Sequence, residues 1–377
     1  MTAEVLMPTE MKVTLPRTLL LGLLQRVVGV VERKQVIPIL SNVLLEWAPG
    51  CVRVRATDLE LELVGHAILE GEVVPGSVTV SGRKLLDICR VLPEDARLDM
   101  TLDAQQKWVV RGGRSRFTVP TLPVAEFPLV EAEVPLWSFT MTEGDLRALL
   151  SRTRFAIAET DVRNFLNGLL LEVGPTGVQA VATDSHRLAL NRAVVETGVA
   201  AATVVIPRKT VLELERLLSD VDALITLSVS ATHIHVEAEN WVLTSRLLDI
   251  RFPDYTRAIP KRTGIPVLIE RDMLRQALQR AFVVSDPKLP IVSMELAPGV
   301  LRLVAGQEAE RVEDELTVEY AGPVLTASYN ATYWQDVLNV VQPGVLQLIF
   351  ADETGSLVLE ERVNPWGSIF VVMPVRL

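Results

Sequence analysis

Residues 17–26 read RTLLLGLLQR, residues 143–152 read EGDLRALLSR, and residues 271–280 read RDMLRQALQR. Leu20 and Leu24, followed by Gln25-Arg26, return as Leu146, Leu150 and Ser151-Arg152, then as Leu274, Leu278 and Gln279-Arg280. Apolar residues four apart share one face of a helix. The steps are 126 and 128 residues, each close to a third of the 377-residue chain. Self-similarity at a fixed period marks a repeated architecture. Ala56-Thr57-Asp58 returns as Ala182-Thr183-Asp184 after 126 residues. Arg83-Lys84 returns as Arg208-Lys209, and Phe127-Pro128 as Phe252-Pro253, each after 125. In the third copy Asn330 to Val341 supplies a second helix without a basic pair. Three homologous domains are expected.

Within each copy the pattern is strand, helix, several strands, helix, several strands. Helices are expected to start at Arg17, Arg83, Glu143, Arg208, Glu270 and Asn330. Short β-rich segments bounded by Gly, Pro or Asp include Val43–Glu46, Arg53–Ala56, Val78–Val80, Trp108–Arg111, Val178–Ala182, His233–Ala238 and Val242–Ser245. Runs of strands between single helices predict an α+β fold with antiparallel sheets, not a βαβ parallel sheet. Linkers rich in proline or charge fall around Leu129–Leu136 and Asp254–Gly264, each after a Phe-Pro. The expected domains are 11–132, 137–258 and 262–377.

A chain that is 49% hydrophobic and 22% charged is not disordered throughout. Its longest apolar run, Leu19 to Leu24, stops at Gln25-Arg26, far short of the roughly 18 residues of a membrane span. No small-residue cleavage site follows that run, so no secretory signal is expected. Two cysteines, Cys51 and Cys89, cannot form a disulfide framework or a four-cysteine metal site. A cytoplasmic protein without membrane contact is expected.

The net charge of −10 argues at first against a nucleic-acid partner, but its distribution matters more than its sum. Residues 17–34 carry +3 and 83–92 carry +2; 143–154, 208–218 and 270–280 carry +1 each, and 330–341 carry −1. The helical segments thus total +7 and leave −17 elsewhere. Arg and Lys are good helix formers, which accounts for some of this enrichment. A positive surface of equivalent helices facing a polyanion accounts for the segregation. No zinc finger, basic zipper or RNA-binding aromatic signature is present, so contact is expected to phosphates, independent of sequence.

Catalytic signatures are missing: there is no Walker A loop, no dinucleotide-binding glycine fingerprint and no Gly-x-Ser-x-Gly elbow. His233-Ile234-His235 offers half of a metal site at most, and no third ligand is at hand. Asp184-Ser185-His186 contains the residue types of a hydrolytic triad, but adjacent residues rarely attain triad geometry. The expectation is no enzyme, no metal and no cofactor; a hydrolase using Ser185 or His186, or a structural repeat protein without DNA, are the alternatives. The C-terminus is apolar to its last residues. Ile369 to Val372 reads as a closing core strand, while Met373-Pro374-Val375 beyond it suits a groove for short partner peptides.

Several strings resemble the family of bacterial DNA polymerase III β subunits, the processivity sliding clamps. They are Ile37-Pro38-Ile39-Leu40-Ser41-Asn42, Thr57-Asp58-Leu59-Glu60-Leu61-Glu62, Gly113-Arg114-Ser115-Arg116-Phe117, Asp161-Val162-Arg163, Leu166-Asn167-Gly168, Ala182-Thr183-Asp184-Ser185-His186-Arg187-Leu188, Arg251-Phe252-Pro253-Asp254-Tyr255 and Met373-Pro374-Val375-Arg376-Leu377. The likeness runs from Met11 to Leu377, with residues 1–10 as an extension ahead of the usual start. It implies three DNA-clamp domains, each with two helices and antiparallel sheets, closing a ring as a head-to-tail homodimer. Such a ring encircles duplex DNA without sequence specificity and confers processivity on the replicative polymerase.

The resemblance also implies sites. DNA contacts would fall on Lys34, Lys84, Thr160, Asn164 and Phe165, with Thr160 and Asn164 standing where the best-known member has a Gln and a Tyr. A partner-peptide pocket would comprise Leu166, Thr183, Ser185, His186, Arg187, Leu188, Pro253, Arg257, Asn330, Tyr333, Val371, Val372, Met373, Pro374, Val375 and Arg376. Ser185 stands where Gly is common and Val375 where Met is common. Replicative and other DNA polymerases, the clamp loader and repair proteins carrying clamp-binding motifs would dock there. At the dimer seam Phe117 and Val119 would meet Val283 and Val284, while Lys84, Arg114 and Arg116 would face Glu308, Glu310, Glu313 and Glu315.

Overall fold

The structure, a computed structural model, describes residues 11–31, 36–131, 133–219, 221–261, 264–286, 288–307, 310–350 and 356–375. The first repeat runs β1 (Lys12–Pro16), α1 (Arg17–Val27), β2 (Asn42–Ala48), β3 (Cys51–Thr57), β4 (Leu61–Ala67), β5 (Gly76–Ser81), α2 (Gly82–Val91), β6 (Arg97–Leu102), β7 (Lys107–Gly112) and β8 (Ser115–Leu122). The second has the same order: β9 (Trp137–Thr142), α3 (Glu143–Ser151), β10 (Gly168–Gly174), β11 (Gly177–Thr183), β12 (Arg187–Val194), β13 (Ala202–Pro207), α4 (Arg208–Leu217), β14 (Leu224–Val229), β15 (His233–Ala238) and β16 (Trp241–Arg246). So has the third: β17 (Pro266–Glu270), α5 (Arg271–Val283), β18 (Ile291–Ala297), β19 (Val300–Gln307), β20 (Glu310–Thr317), β21 (Leu325–Asn330), α6 (Ala331–Val340), β22 (Val345–Phe350), β23 (Leu357–Glu361) and β24 (Ile369–Val372). Every expected helix starts within one residue of its predicted position. Every strand pairing described is antiparallel, and no helix of the described residues is long and apolar enough to cross a membrane.

The repeated leucines bury because the helix period stacks them on one face. Leu20, Leu23 and Leu24 of α1, Leu146, Leu149 and Leu150 of α3, and Leu274, Ala277 and Leu278 of α5 are all buried. α1 lies on β3 and β4, α3 on β11 and β12, and α5 on β19 and β20, each beside the other helix of its repeat. Arg17, opening α1, donates from Nε to the Cys89 carbonyl at the end of α2 (2.6 Å), and Arg271, opening α5, donates to Val341 O beyond α6 (3.0 Å). A cation there satisfies carbonyls that a helix end leaves orphaned. The second repeat inverts the device: Glu143 accepts from Ser219 N past the end of α4 (2.8 Å). Thr142 caps α3 by accepting from Asp145 N, and Asn330 caps α6 by accepting from Thr332 N.

The chain divides into two compact units, Met1–Thr140 with Leu224–Arg246, and Met141–Ala223 with Leu247–Leu377. The first unit holds a twelve-stranded sheet ordered β1-β6-β7-β8-β5-β2-β3-β4-β16-β15-β14-β9. Its continuity comes from β16 of the second repeat pairing with β4 of the first. In the second unit β24 pairs with β12 in an eight-stranded sheet ordered β13-β10-β11-β12-β24-β23-β22-β17, beside a four-stranded sheet ordered β20-β19-β18-β21.

Three readings of the charge need correction. α1 ends at Val27, so Glu32, Arg33 and Lys34 fall after it and outside the described residues. α3 ends at Ser151; without Arg152 and Arg154 it is acidic on balance. Asn42 pairs with Ser81 and Gly168 with Pro207, a uniform step of 126 that sets Arg83 over Lys209, not Arg208. The matching basic dipeptides are therefore displaced by one position on their helices.

Arg152 is buried. Its guanidinium donates to Glu361, to Ser368 Oγ (3.1 Å) and to the Val340 carbonyl (3.0 Å), with the Trp366 ring 4.9 Å away. Glu361 also accepts from Gln342 N (2.6 Å), and Ser368 bonds to Asn191, whose amide donates to Ala148 O. Desolvation lowers the Arg152 pKa while Glu361 opposes that shift. The network ties the second repeat to the third, and breaking one side of a buried pair leaves an uncompensated charge. Glu361→Leu should lower stability in denaturant titrations by about 3–5 kcal/mol, and Arg152→Met added to it should restore part of that loss. A double variant worse than the single would contradict an energetic role centred on the pair.

Candidate functional site

The turn between β11 and β12 is built from its own side chains. Thr183 Oγ1 accepts from Ser185 N (3.2 Å), and Asp184 Oδ1 accepts from the backbone N–H groups of His186 and Arg187 (2.9 Å each). Ser185 takes a left-handed φ of 76°, a conformation that costs a non-glycine residue of order 1 kcal/mol. Against this turn comes the end of the chain. β24 pairs Val372 with Arg187 and Val371 with Leu188. Met373 N then donates to His186 O (2.8 Å) and Val375 N to Ser328 O (2.7 Å) in β21. The segment Met373-Pro374-Val375 thus bridges the second and third repeats, half-exposed along its length.

Arg187 organises the side chains. Its Nε donates to Asp184 Oδ2 (3.0 Å) and its Nη1 to Asp336 on α6. The guanidinium lies 4.5 Å from the Tyr333 ring centroid and 5.4 Å from that of Phe155. Tyr333 stacks on His186, with centroids 6.0 Å apart and planes at 21°, and Phe155 packs on Phe370. Burial is the main cause that raises the Tyr333 pKa, so its hydroxyl stays protonated at neutral pH. On the other face of the β12–β24 ladder, to which Leu188 and Val371 point, lies a cluster of Leu170, Val181, Leu188, Leu190, Val205, Ile349, Val358, Ile369 and Val371, packed against Phe252, Tyr255, Ala258 and Ile259.

Of the expected pocket residues, Thr183, Ser185, His186, Arg187, Tyr333 and Met373 to Val375 converge at this surface. Leu166, Leu188, Val371 and Val372 are fully buried and present no exposed wall. Asn330 is spent as the α6 cap. Pro253 and Arg257 are exposed on the linker, with Arg257 ion-paired to Asp254 (3.1 Å). Arg376 lies outside the described residues. Phe155 and Asp336 were missed. Asp336, as the single charge of α6, was the available signal.

The first unit repeats the backbone of this turn without its ligands. Leu59 N donates to Thr57 Oγ1, Asp58 Oδ1 accepts from Glu60 N and Leu61 N, and Leu59 has a φ of 83°. Arg246 N donates to Glu60 O at 2.8 Å, the counterpart of the bond from Met373 to His186. Where the second turn carries His186 and Arg187, however, the first carries Glu60 and a buried Leu61. Side chains alone distinguish the two.

Among the expected DNA contacts, Lys84 is exposed on α2, Thr160 and Asn164 are exposed, and Phe165 is half-buried; Lys34 is outside the described residues. The loop bearing Thr160 and Asn164 is pinned by Asp161, which accepts from Arg163 Nε and Nη2 (2.9 and 2.8 Å), while its backbone bonds with the Asn167 side chain. Those Arg163 bonds hold the Asp161 carboxyl down to about 2. Val162 between them is 97% exposed. Two further cations were missed: Arg147 on α3 and Arg275 on α5, separated by the 128-residue helix step, make no ion pair among the described residues.

At the ends of the repeat, Arg114 and Arg116 are exposed on β8 and its preceding turn, and Phe117 is half-buried. Val119 is already buried in its own sheet. Val283 is 82% exposed and Val284 half-buried at the end of α5. Glu310, Glu313 and Glu315 are exposed on β20, with Glu313 paired to Arg311 and Glu315 to Arg302; Glu308 is outside the described residues.

The triad-like string is not wired for nucleophilic attack, since both Asp184 oxygens serve the turn and Arg187. His235 bonds to Thr244 and His233 to Thr232 and Glu133, and no metal-holding cluster occurs among the described residues.

Comparison with known proteins agrees with this geometry. The N-terminal, central and C-terminal domain profiles of the DNA polymerase III beta subunit match residues 11–131, 140–254 and 256–376. The beta sliding clamp of Pseudomonas putida is 42% identical, over 97% of this chain and 100% of its own length, and that of Escherichia coli K12 is 36% identical with the same coverage. A crystal structure of the Pseudomonas aeruginosa sliding clamp bound to griselimycin superposes with a TM-score of 0.93 at 40% identity, covering 98% of this chain and 100% of that one. A Caulobacter crescentus clamp superposes at 0.93 with 34% identity, covering 98% and 99%. The chain belongs to the DNA polymerase III β subunit family, the sliding clamps.

Proposed function

We propose that two copies of this chain join head to tail into a ring around duplex DNA, and that polymerases, the clamp loader and repair proteins dock at the pocket built on Arg187. Strand register carries the ring. At the first junction Ser245 sits opposite Leu61, and at the second Val372 sits opposite Arg187. The ladders within each repeat make Leu61 and Arg187 equivalent, and likewise Ser245 and Val372. One rule therefore joins repeat to repeat twice.

Continued to a third junction, the same rule sets Glu310 of one copy opposite Val119 of the next, Val312 opposite Phe117, and Glu313 opposite Arg116. Both edges are available. β20 ends its sheet, and β5 touches β8 only at Thr121 and Leu122. Phe117 then faces the apolar end of α5 at Val283 and Val284, and basic β8 meets acidic β20, which favours the heterologous contact over pairing of like edges. The domain limits 11–132, 137–258 and 262–377 follow the same repeat.

A ring holds DNA by topology, so the helix cations Lys84, Arg147 and Arg275 need only weak phosphate attraction, which permits sliding. Such a protein works where the chromosome is, in the cytoplasm of a bacterium, and has no chemistry to perform. It therefore needs no active site, metal or cofactor.

Three measurements test this reading. Loaded on a nicked circular plasmid, the protein should remain bound and should leave when the circle is linearised; equal retention on both would contradict encirclement. Lys84→Glu with Arg147→Glu should flatten the salt dependence of direct DNA association by up to about 2 in the log–log slope. For the pocket, deletion of Met373 to Leu377 should abolish binding of a fluorescent polymerase-derived clamp-binding peptide while the chain stays dimeric. Arg187→Ala should weaken that binding less. Unchanged affinity in the truncation would move the docking site elsewhere.

A further inference from the structure

Each joint within the chain is straddled, on the sheet face turned away from the helices, by the linker that leads into the next repeat. At the first joint Phe127 packs on Ile39, Leu40 and Leu44 of the first repeat. Further along, Glu133 accepts from Thr232 Oγ1 (2.7 Å) beside His233 of the second. At the second joint Phe252, Tyr255, Ala258 and Ile259 pack on Leu188 and Leu190 of one repeat and on Val358, Ile369 and Val371 of the next.

The register rule that carries the ring makes Val358 and Ile369 equivalent to Val109 and Arg116. No covering segment lies there among the described residues. Instead Val109 and Arg116, with Lys12, Asp99, Gln106 and Arg111, line an open groove of about 780 Å³ on the sheet of β1, β6, β7 and β8. Lys12, Arg111 and Arg116 make no ion pair among the described residues. Asp99 is spent on Thr14 (2.6 Å), and Asp103 on the turn that it closes. The groove is therefore cationic in what it offers.

The segment leading into the first repeat is residues 1–10, MTAEVLMPTE, outside the described residues. The helix step of 126 sets these ten against 127–136, FPLVEAEVPL, which is the first linker. Each stretch has two carboxylates, no basic residue, a proline and adjacent aliphatic residues. An acidic, part-apolar segment suits a groove with unpaired cations. Reach is sufficient: from β1 over β6, β7 and β8 to β20 of the other copy is four strand spacings, about 19 Å, against about 33 Å for ten extended residues.

We propose that this groove is the docking site of residues 1–10, which straddle the joint between copies as the linkers straddle the joints within the chain. The inference rests on the ring reading and adds an interaction element to its dimer. Thr232 and His233 correspond to Gln106 and Lys107, so Met7, in the place of Glu133, meets those two. Glu62, against which the Val130 backbone lies, corresponds to Arg311, so Glu4, in the place of Val130, meets Arg311 of the other copy.

The test compares the full-length chain with one lacking residues 1–10, which begins where the N-terminal family profile begins. In dilution of fluorophore-labelled dimers read by energy transfer, the deletion should raise the dissociation constant about tenfold, the order set by part-burying two aliphatic side chains. Arg111→Glu should weaken the full-length dimer severalfold and change the deleted form little. Benzoylphenylalanine in place of Met7 should cross-link to Gln106 or Lys107. In place of Glu4 it should link to the strand bearing Arg311 and give a covalent dimer. A dissociation constant unchanged by the deletion, or a position-4 link confined to single chains, would overturn the inference and leave the ring standing. A full-length chain that stays monomeric at micromolar concentration would overturn the ring reading and this inference with it.

Discussion

A strand at the edge of a sheet presents a row of unpaired N–H and C=O groups, and a stable protein must cover or pair them. Each repeat of this chain has one such edge on its fourth strand in sequence and another on its last. Four of these edges are consumed within the chain, where β16 adds to β4 and β24 adds to β12 in the same register. The remaining pair, β20 and β8, finds no such joint among the described residues. In the proposed ring a second copy related head to tail supplies both partners through joints of the kind already made twice within the chain.

The pocket arises from the same joint by decoration. The turns at Asp58 and Asp184 share their hydrogen bonds, their left-handed residue and even the bond from the incoming strand. A ligand surface appears only where the joint also carries His186, Arg187 and the final three described residues of the chain. The two described turns share one scaffold, and the side chains on the second make it the proposed docking site. The buried Arg152–Glu361 network is linked to Arg187 through Phe370 and Phe155.

Much of this was legible in the sequence because its signals are local and repeated. The leucine spacing located α1, α3 and α5, and the Ala-Thr-Asp strings located the two turns. Tertiary placement was not legible. Arg152 belongs to the same Gln-Arg or Ser-Arg string as Arg26 and Arg280, yet it is buried against Glu361, because only the third repeat has a carboxylate at the facing position. Counting it as surface charge made α3 basic when it is acidic. The register of α2 over α4 was misread by one because two basic pairs attracted the match, whereas the strand ladder decides it. Asp336 entered only through the −1 of residues 330–341, since its partner Arg187 lies nearly 150 residues away. Leu166 and Val119 were assigned to surfaces by analogy of position, and packing draws both into the core.

The central claim is the register of the joint between copies, and a covalent trap tests it most directly. Arg116→Cys and Glu313→Cys in one chain place the two thiols opposite each other only across the proposed joint, at a Cα separation within the range a disulfide spans. Oxidation should yield a dimer closed by two links, which stays on a circular plasmid through denaturation and is released when the plasmid is cut. Moving the second cysteine from position 313 to 317, one full turn of the ladder away, should abolish the link. Equal cross-linking at both positions, or a product that is monomeric under denaturing conditions, would contradict the account.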